Sequence, residues 1–264
     1  MDKTEARHRQ RGIQSVEVGG ALLKVLVAAE GALTLGEIAR RAGLTPAKAH
    51  PYLVSYGCLG LIVQDRQTGR YDVGPLALQA GLAALRRLNP LRVADEGLAA
   101  LVEESSQMVA IAVWAMHGAT IVRIEESPRP LHVNLRVGSV MSLRNTATGN
   151  VFAAYLRPAD IADALQREGM PGTPTIGASA GTDDALQSLV SGVRAVGLAS
   201  TIDHPIPGIS ALSAPVFDHR GALAMAITLL GPSGTFDAAV DGDLAGMLQR
   251  YARSVTARLG GAVS

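Results

Sequence analysis

The 264-residue chain is poor in cysteine and in aromatic residues, and it has no long apolar runs. Cys58 is the single cysteine, so an intrachain disulfide and a cysteine-rich zinc site are excluded, and a reducing cytoplasm is the expected location. Tryptophan, tyrosine and phenylalanine make up 3%, too few for an aromatic platform that stacks single-stranded nucleic acid. No stretch reaches the roughly 18 apolar residues that a membrane span requires. Residues Met1 to Gly12 are polar and charged with no apolar stretch, so no secretory signal is expected. The G-x-G-x-x-G, Walker A and H-E-x-x-H patterns are absent, and the six histidines show no metal-ligand spacing. Neither cofactor nor metal is expected.

The composition is 48% hydrophobic and 18% charged, that of a soluble globular chain with one large or two modest domains. The net charge of +1 conceals an asymmetry. Residues 1–75 carry ten Lys/Arg against seven Asp/Glu, and the remainder carries fourteen against sixteen. Lys3, Arg7, Arg9 and Arg11 make residues 1–12 a basic, flexible arm. A basic front on a near-neutral body points to contact with nucleic acid.

From Gln14 to Glu30, Val18, Leu22, Val25, Leu26 and Ala29 fall near helical spacing. Thr34-Leu35-Gly36-Glu37 is a capping box opening a short helix, and Gly43 closes it. Thr45-Pro46 supplies the N-cap and first position of a third helix. Leu59 to Val63 and Arg70 to Val73 then read as a hairpin around the turn Asp65–Gly69. Three helices and a hairpin outline a winged helix-turn-helix over residues 13–75. A helix from Leu76 to Leu88, with Leu78, Leu82 and Leu85 on one stripe, links it to the rest over residues 76–91.

Residues 92–264 read as a mixed domain. A helix is expected from Arg92 to Glu104, strands at 108–114 and 120–125, and an alternating strand through Leu131, Val133, Leu135 and Val137. Helices are expected at 148–156, 158–167 and 183–194, strands at 198–202, 209–217 and 222–230, and a last helix over 237–259. Mixed strands and helices with hairpins indicate an α+β class and not a doubly wound α/β sheet.

One enzyme-like pattern occurs. Gly177-Ala178-Ser179-Ala180-Gly181 matches G-x-S-x-G, and His204 and His219 are available partners, so a Ser179 hydrolase is a rival reading. The five residues are all small, and the following helix starts only after Thr182, unlike a nucleophile elbow.

Several stretches together resemble the IclR family of bacterial transcription regulators. Ser15-Val16-Glu17, Leu35-Gly36-Glu37-Ile38-Ala39, Ala42-Gly43-Leu44-Thr45, Ala49-His50 and Gly69-Arg70-Tyr71-Asp72-Val73-Gly74 are similar to its winged helix-turn-helix. Val137-Gly138-Ser139, Thr146-Ala147-Thr148-Gly149, Ser213 to Asp218 and Gly231-Pro232 are similar to its effector-binding domain. The resemblance spans about Gly12 to Leu259. It implies a GAF- or profilin-like mixed-sheet ligand domain behind the DNA-binding domain. It also implies a cytoplasmic, dimeric or tetrameric regulator of a catabolic operon that binds double-stranded operator DNA. A small organic acid, often aromatic, is the implied effector. A ligand-binding module without DNA binding is the remaining alternative.

The family has a basic residue where this chain has Pro51, a proline expected to remove a helical N–H. Thr45, Lys48, His50 and Tyr52 of the third helix and Arg70 of the wing are the candidate DNA-contacting residues. Family effector positions, carried over by the resemblance, fall on Leu143, Ala147, Thr148, Thr201, Ala211, Thr228 and Leu230. Independently, Arg144, Asn145, Thr146 and Thr148 lie where a helix N-terminus offers amides and hydroxyls that suit a carboxylate.

Overall fold

A computed structural model describes residues 12–128, 131, 133–168, 174–178 and 182–262. The chain divides into two compact units, the first ending at Leu88 and the second starting at Asn89. The basic arm before Gly12 lies outside the described residues.

The first unit opens with α1 (Gln14–Val27), which buries Leu22 and Leu26 on its apolar stripe. The capping box starts α2 (Leu35–Arg41): Thr34 Oγ1 accepts the Glu37 amide at 3.3 Å, and the Glu37 carboxylate accepts the Thr34 amide at 2.8 Å. Gly43 turns the corner at φ +69°, a conformation that a Cβ would strain. Thr45 caps α3 (Pro46–Leu59), with Pro46 at its first position. β1 (Ile62–Gln64) and β2 (Tyr71–Val73) pair antiparallel, and α4 (Pro75–Arg87) follows. Leu22, Leu26, Ile38, Leu53, Ile62 and Tyr71 close one small core, each worth about 1.5–3 kcal/mol when buried.

One expectation is corrected here. The strand expected from Leu59 begins only at Ile62, because α3 runs on to Leu59 and Gly60 ends it in the left-handed region. Pro51 lies inside α3, six residues beyond its N-cap Thr45, and the helix continues beyond it. Ala47 and Pro51 are both exposed, so water reaches the carbonyl that has lost its amide partner, and the Ser55 hydroxyl donates to the Pro51 carbonyl at 3.0 Å.

The second unit begins with α5 (Pro90–Asp95) and α6 (Leu98–Ser105), then β3 (Met108–Ala115), β4 (Gly118–Glu125) and β5 (Val140–Met141). It continues with α7 (Ala147–Tyr155), α8 (Pro158–Arg167), β6 (Thr175–Ile176), α9 (Asp183–Val196) and β7 (Ala199–Thr201). β8 (Ile209–Phe217), β9 (Leu223–Pro232) and α10 (Asp243–Arg258) complete it. The seven strands run in the order β6-β5-β4-β3-β9-β8-β7, antiparallel except for the β5–β6 pair. Successive side chains along a strand point to opposite faces. Ala110, Ala112, Ala211, Ala226 and Leu230 therefore share one face with α7, through Val151 and Phe152. Alternate residues such as Leu212, Ile227 and Leu229 take the other face, where α10 packs against β8 and β9.

The expected helix over 92–104 is two helices. The Tyr251 ring lies so close to Gly97 that a Cβ there would stand 2.9 Å from it, and the Tyr251 hydroxyl donates to the Ala94 carbonyl. Among the described residues, 131 and 133–137 of the expected strand over 131–137 pair with no strand: the neighbouring edge of β4 is used by β5, Gly138 and Ser139. Its alternation reports burial of Leu135 and packing of Leu131 and Val133, while His132 lies outside the described residues. The last helix starts at Asp243, six residues later than expected. Asp237 Oδ1 accepts the Ala239 amide and Ser200 Oγ donates to the Ala238 carbonyl, which holds that segment in a turn against β7. Among the described residues no helix is long and apolar enough to cross a membrane.

Candidate DNA-binding and effector sites

In the first unit, α3 follows α2 across the Gly43 corner, and its outward residues face solvent. Thr45, Lys48 and His50 are exposed, and Thr45 also accepts the Lys48 amide at 3.4 Å, fixing the first turn. Tyr52 is different. It is half-buried against the helical core, and with Tyr56 it crowds Gly19 of α1: a Cβ there would stand 2.1 Å from the Tyr56 hydroxyl and 3.2 Å from the Tyr52 ring. The geometry makes Tyr52 a packing residue between helices.

Arg70 is exposed but tied back to its own unit. It donates to the Ala32 carbonyl at 2.9 Å and stands 3.5 Å from the Glu37 carboxylate, bracing the wing on the turn before α2. Hydrogen bonds from Thr34, assisted by Arg70, hold the Glu37 carboxyl below its ordinary pKa. The wing turn is built by Asp65, whose carboxylate accepts the Gln67 and Thr68 amides at 2.7 and 3.3 Å. Those bonds hold its pKa low as well. Arg66 stands exposed at the tip of that turn with no partner among the described residues. Sequence reading missed it; the signal was an Asp followed by amide donors two and three residues on, which leaves the intervening side chain pointing outward.

In the second unit, the candidate effector residues gather on the α7 face of the sheet. Thr201 pairs with Ala211, Ala211 with Leu230, and Leu230 with Met108, forming one row across four strands. The next row on that face carries Ser213, Thr228 and Ala110. Thr148 of α7 meets Thr228 at 2.8 Å between hydroxyls, and Thr228 donates to Ser213 at 2.9 Å. All three are at most 2% exposed, in surroundings that are otherwise apolar. Ser213 escaped sequence reading, because only the β8–β9 register reveals that it continues the Thr148–Thr228 line.

The N-terminus of α7 is largely used internally. Thr146 Oγ1 accepts the Gly149 amide at 2.9 Å and donates to the Ser142 carbonyl at 2.7 Å. Ala147 and Leu143 are buried beside it. Gly149 presses onto the preceding loop so closely that a Cβ would fall 1.9 Å from the Ser142 oxygen. The Glu168 carboxylate accepts the Leu143 amide at 2.6 Å and the Ser142 hydroxyl at 2.9 Å. Arg144 reaches the Thr182 carbonyl at 2.7 Å and Asn145 the Gly177 carbonyl at 2.7 Å. Both are thus tied to the loops beside the site. Among the described residues no group of three metal-ligating side chains exists.

Comparison with known proteins bears on both units. Residues 15–66 match the family model of the IclR helix-turn-helix domain, and residues 82–257 match that of the bacterial transcriptional regulator IclR C-terminal domain. The chain belongs to the IclR family of bacterial transcriptional regulators. The crystal structure of Pseudomonas aeruginosa HmgR superposes with a TM-score of 0.86 at 36% identity, covering 96% of this chain and 100% of that one. The glycerol operon regulatory protein of Streptomyces griseus is 30% identical over 84% of this chain and 86% of its own. An IclR homologue from Microbacterium hydrocarbonoxydans, solved in complex with 4-hydroxybenzoate, shares the fold at 17% identity and a TM-score of 0.54, covering 92% of this chain and 98% of that one.

This IclR-family chain is therefore a DNA-binding transcription regulator, with a winged helix-turn-helix ahead of a mixed-sheet α+β domain. The relatives are regulators and not enzymes, which sets aside the hydrolase reading. Ser179 itself lies outside the described residues.

Proposed function

We propose that this regulator controls a catabolic operon in response to a small organic acid with an aromatic or similarly apolar body. The observation that carries this reading is the convergence of Thr148, Thr201, Ala211, Thr228 and Leu230 on one sheet face beneath α7, with Leu143 and Ala147 packed beside them. Small side chains give the ligand body room, and the hydroxyls of Thr148 and Thr228 give it polar partners. Its acid group sits at the 145–149 helix start, near Arg144, where the dipole and amides favour an anion. Binding exchanges the Thr148–Thr228 contact for contacts to the ligand. The 4-hydroxybenzoate complex of a fold neighbour supports an aromatic acid.

Operator contact is assigned to Thr45, Lys48 and His50 on α3 and to Arg66 at the wing tip, with Arg70 holding the wing in place. α4 buries no side chain within the chain, and Leu78, Leu82 and Leu85 are 64%, 46% and 40% exposed. A second copy is the proposed cover for that stripe, giving a homodimer that meets two operator half-sites. Association through the second unit would make it a tetramer.

The test is a thermal-shift series with benzoate, 4-hydroxybenzoate and their uncharged amides, run beside footprinting on the chain's own upstream DNA. The acids are expected to raise the melting temperature and the amides are not. Binding at a hundredfold excess over Kd adds about 2.7 kcal/mol. Equal shifts from acids and amides would remove the helix-start assignment, and absence of any shift would remove the aromatic acid. A monomeric mass by light scattering would remove the dimer.

A further inference from the structure

A cleft of about 340 Å³ opens where the C-terminal ends of α7 and α9 meet β8 and α10. None of its lining residues belongs to the effector face proposed above, so the two sites are independent. Its walls are mixed: Val196, Pro215 and Ala252 line it, with the Tyr155 and Phe217 rings edge to face at 5.1 Å, beside Arg194, Gln249, Arg253 and Thr256. The volume falls within the roughly 300–1,000 Å³ of small-molecule pockets, and the cleft is more polar than most of them.

Among the described residues the charged side chains lining the cleft are of one sign: Arg194 and Arg253 line it, and no aspartate or glutamate does. Arg194 Nε donates to the Ala154 carbonyl at 2.5 Å, which fixes the guanidinium at the end of α7; its two terminal nitrogens have no partner among the described residues. Among the described residues Arg253 makes only long contacts to Gln249, at 3.3 and 3.4 Å. Helix C-termini carry partial negative charge that would repel an anion. Here the Ala154 carbonyl is covered by Arg194 and the Val196 carbonyl by the Gln249 amide, at 3.2 Å. Two full positive charges remain, over an aromatic floor.

We propose that this cleft is a second ligand site, taking a small carboxylate with a flat apolar body. The carboxylate bridges Arg194 and Arg253, whose planar forks match its geometry. The body lies against Tyr155, Val196 and Phe217. Burial pushes the Tyr155 phenol above its ordinary pKa, so the hydroxyl stays a neutral donor at the rim.

The experiment follows the arginine Nε–H resonances of the full-length protein by 1H–15N NMR, with Arg194 and Arg253 assigned by their loss in Arg194→Gln and Arg253→Gln. Benzoate is expected to shift both resonances saturably. Arg253→Gln should weaken the shift at Arg194 about tenfold in apparent affinity while leaving the melting temperature unchanged. Inorganic phosphate should move them less, because it cannot use the apolar wall. Unmoved resonances at saturating benzoate overturn the site, even where benzoate raises the melting temperature through the effector face. Equal movement by phosphate overturns the organic ligand. Broadening with a concentration-dependent rise in mass overturns it in favour of an interface between copies.

Discussion

The two units place their polar candidates in opposite environments. On α3 and the wing, Thr45, Lys48, His50 and Arg66 are exposed. On the sheet, Thr148, Thr228 and Ser213 are at most 2% exposed and bonded to one another. A charged polymer is met by side chains that water already solvates, so removing one costs affinity and little stability. A small ligand is met by groups that the fold itself must keep satisfied, so removing one costs both. The first unit should therefore separate function from stability under mutation, and the second should not.

The largest effect that could break this contrast is at the start of α7. Gly149→Val places a branched side chain against the Ser142 carbonyl and should destabilise the second unit by about 3 kcal/mol. A melting curve indistinguishable from the parent would mean the close approach is not rigid. Next is Thr148→Val, which strips Thr228 of a partner and should cost about 1–2 kcal/mol while also weakening any acid-induced thermal shift. The Thr148→Val, Thr228→Val pair should cost less than the sum of its members, because neither hydroxyl of the Thr148–Thr228 contact is then left facing a lost partner, and only Ser213 loses its donor. Strict additivity in the double-mutant cycle would count against a coupled row.

Lys48→Ala and Arg66→Ala sharpen the other side. Each should change stability by less than about 0.5 kcal/mol and lower the salt dependence of operator binding by about one unit. Arg70→Ala should do the reverse, lowering the melting temperature through the lost brace to Ala32 and Glu37 with a smaller change in salt slope. Fluorescence anisotropy across a salt series reads both. The smallest effect is a pH dependence. The Glu37 carboxyl has a lowered pKa in the folded chain, so its contribution is complete above the ordinary value of 4.5 and is lost as pH falls through the lowered one. Glu37→Gln should flatten the acid limb of stability below about pH 4.5 and leave neutral pH nearly untouched. An unchanged acid limb would show that the box is equally formed in the unfolded chain.

Legibility followed the range of the contacts. Thr34–Glu37, Gly43, Thr45-Pro46 and Asp65 act on amides within three residues, so their roles could be read directly, and the helices they bound lie close to the expected spans. The packing of Tyr52 and the brace made by the exposed Arg70 escaped the sequence because their partners Gly19, Ala32 and Glu37 lie 30 or more residues away. The strand expected at 131–137 failed for a related reason. Alternation reveals that Leu131, Val133 and Leu135 turn inward, while pairing depends on whether a neighbouring edge is free, and β5 had taken it.

The sequence by itself determined the order of elements, their caps and turns, the excess of positive charge at the front and the family to which the chain belongs. Each of these is carried by propensity, hydrogen bonding over a few residues, or a motif kept in order. Tertiary structure alone decided that Ser213 completes a line with Thr148 and Thr228, that Glu168 holds the Leu143 amide, and that Arg194 and Arg253 share a cleft. These groups are 15 to 80 residues apart, and sheet register sets whether a side chain reaches its partner or the opposite face. A shift of one residue in β8 against β9 would turn Ser213 away from Thr228 without altering a single local preference.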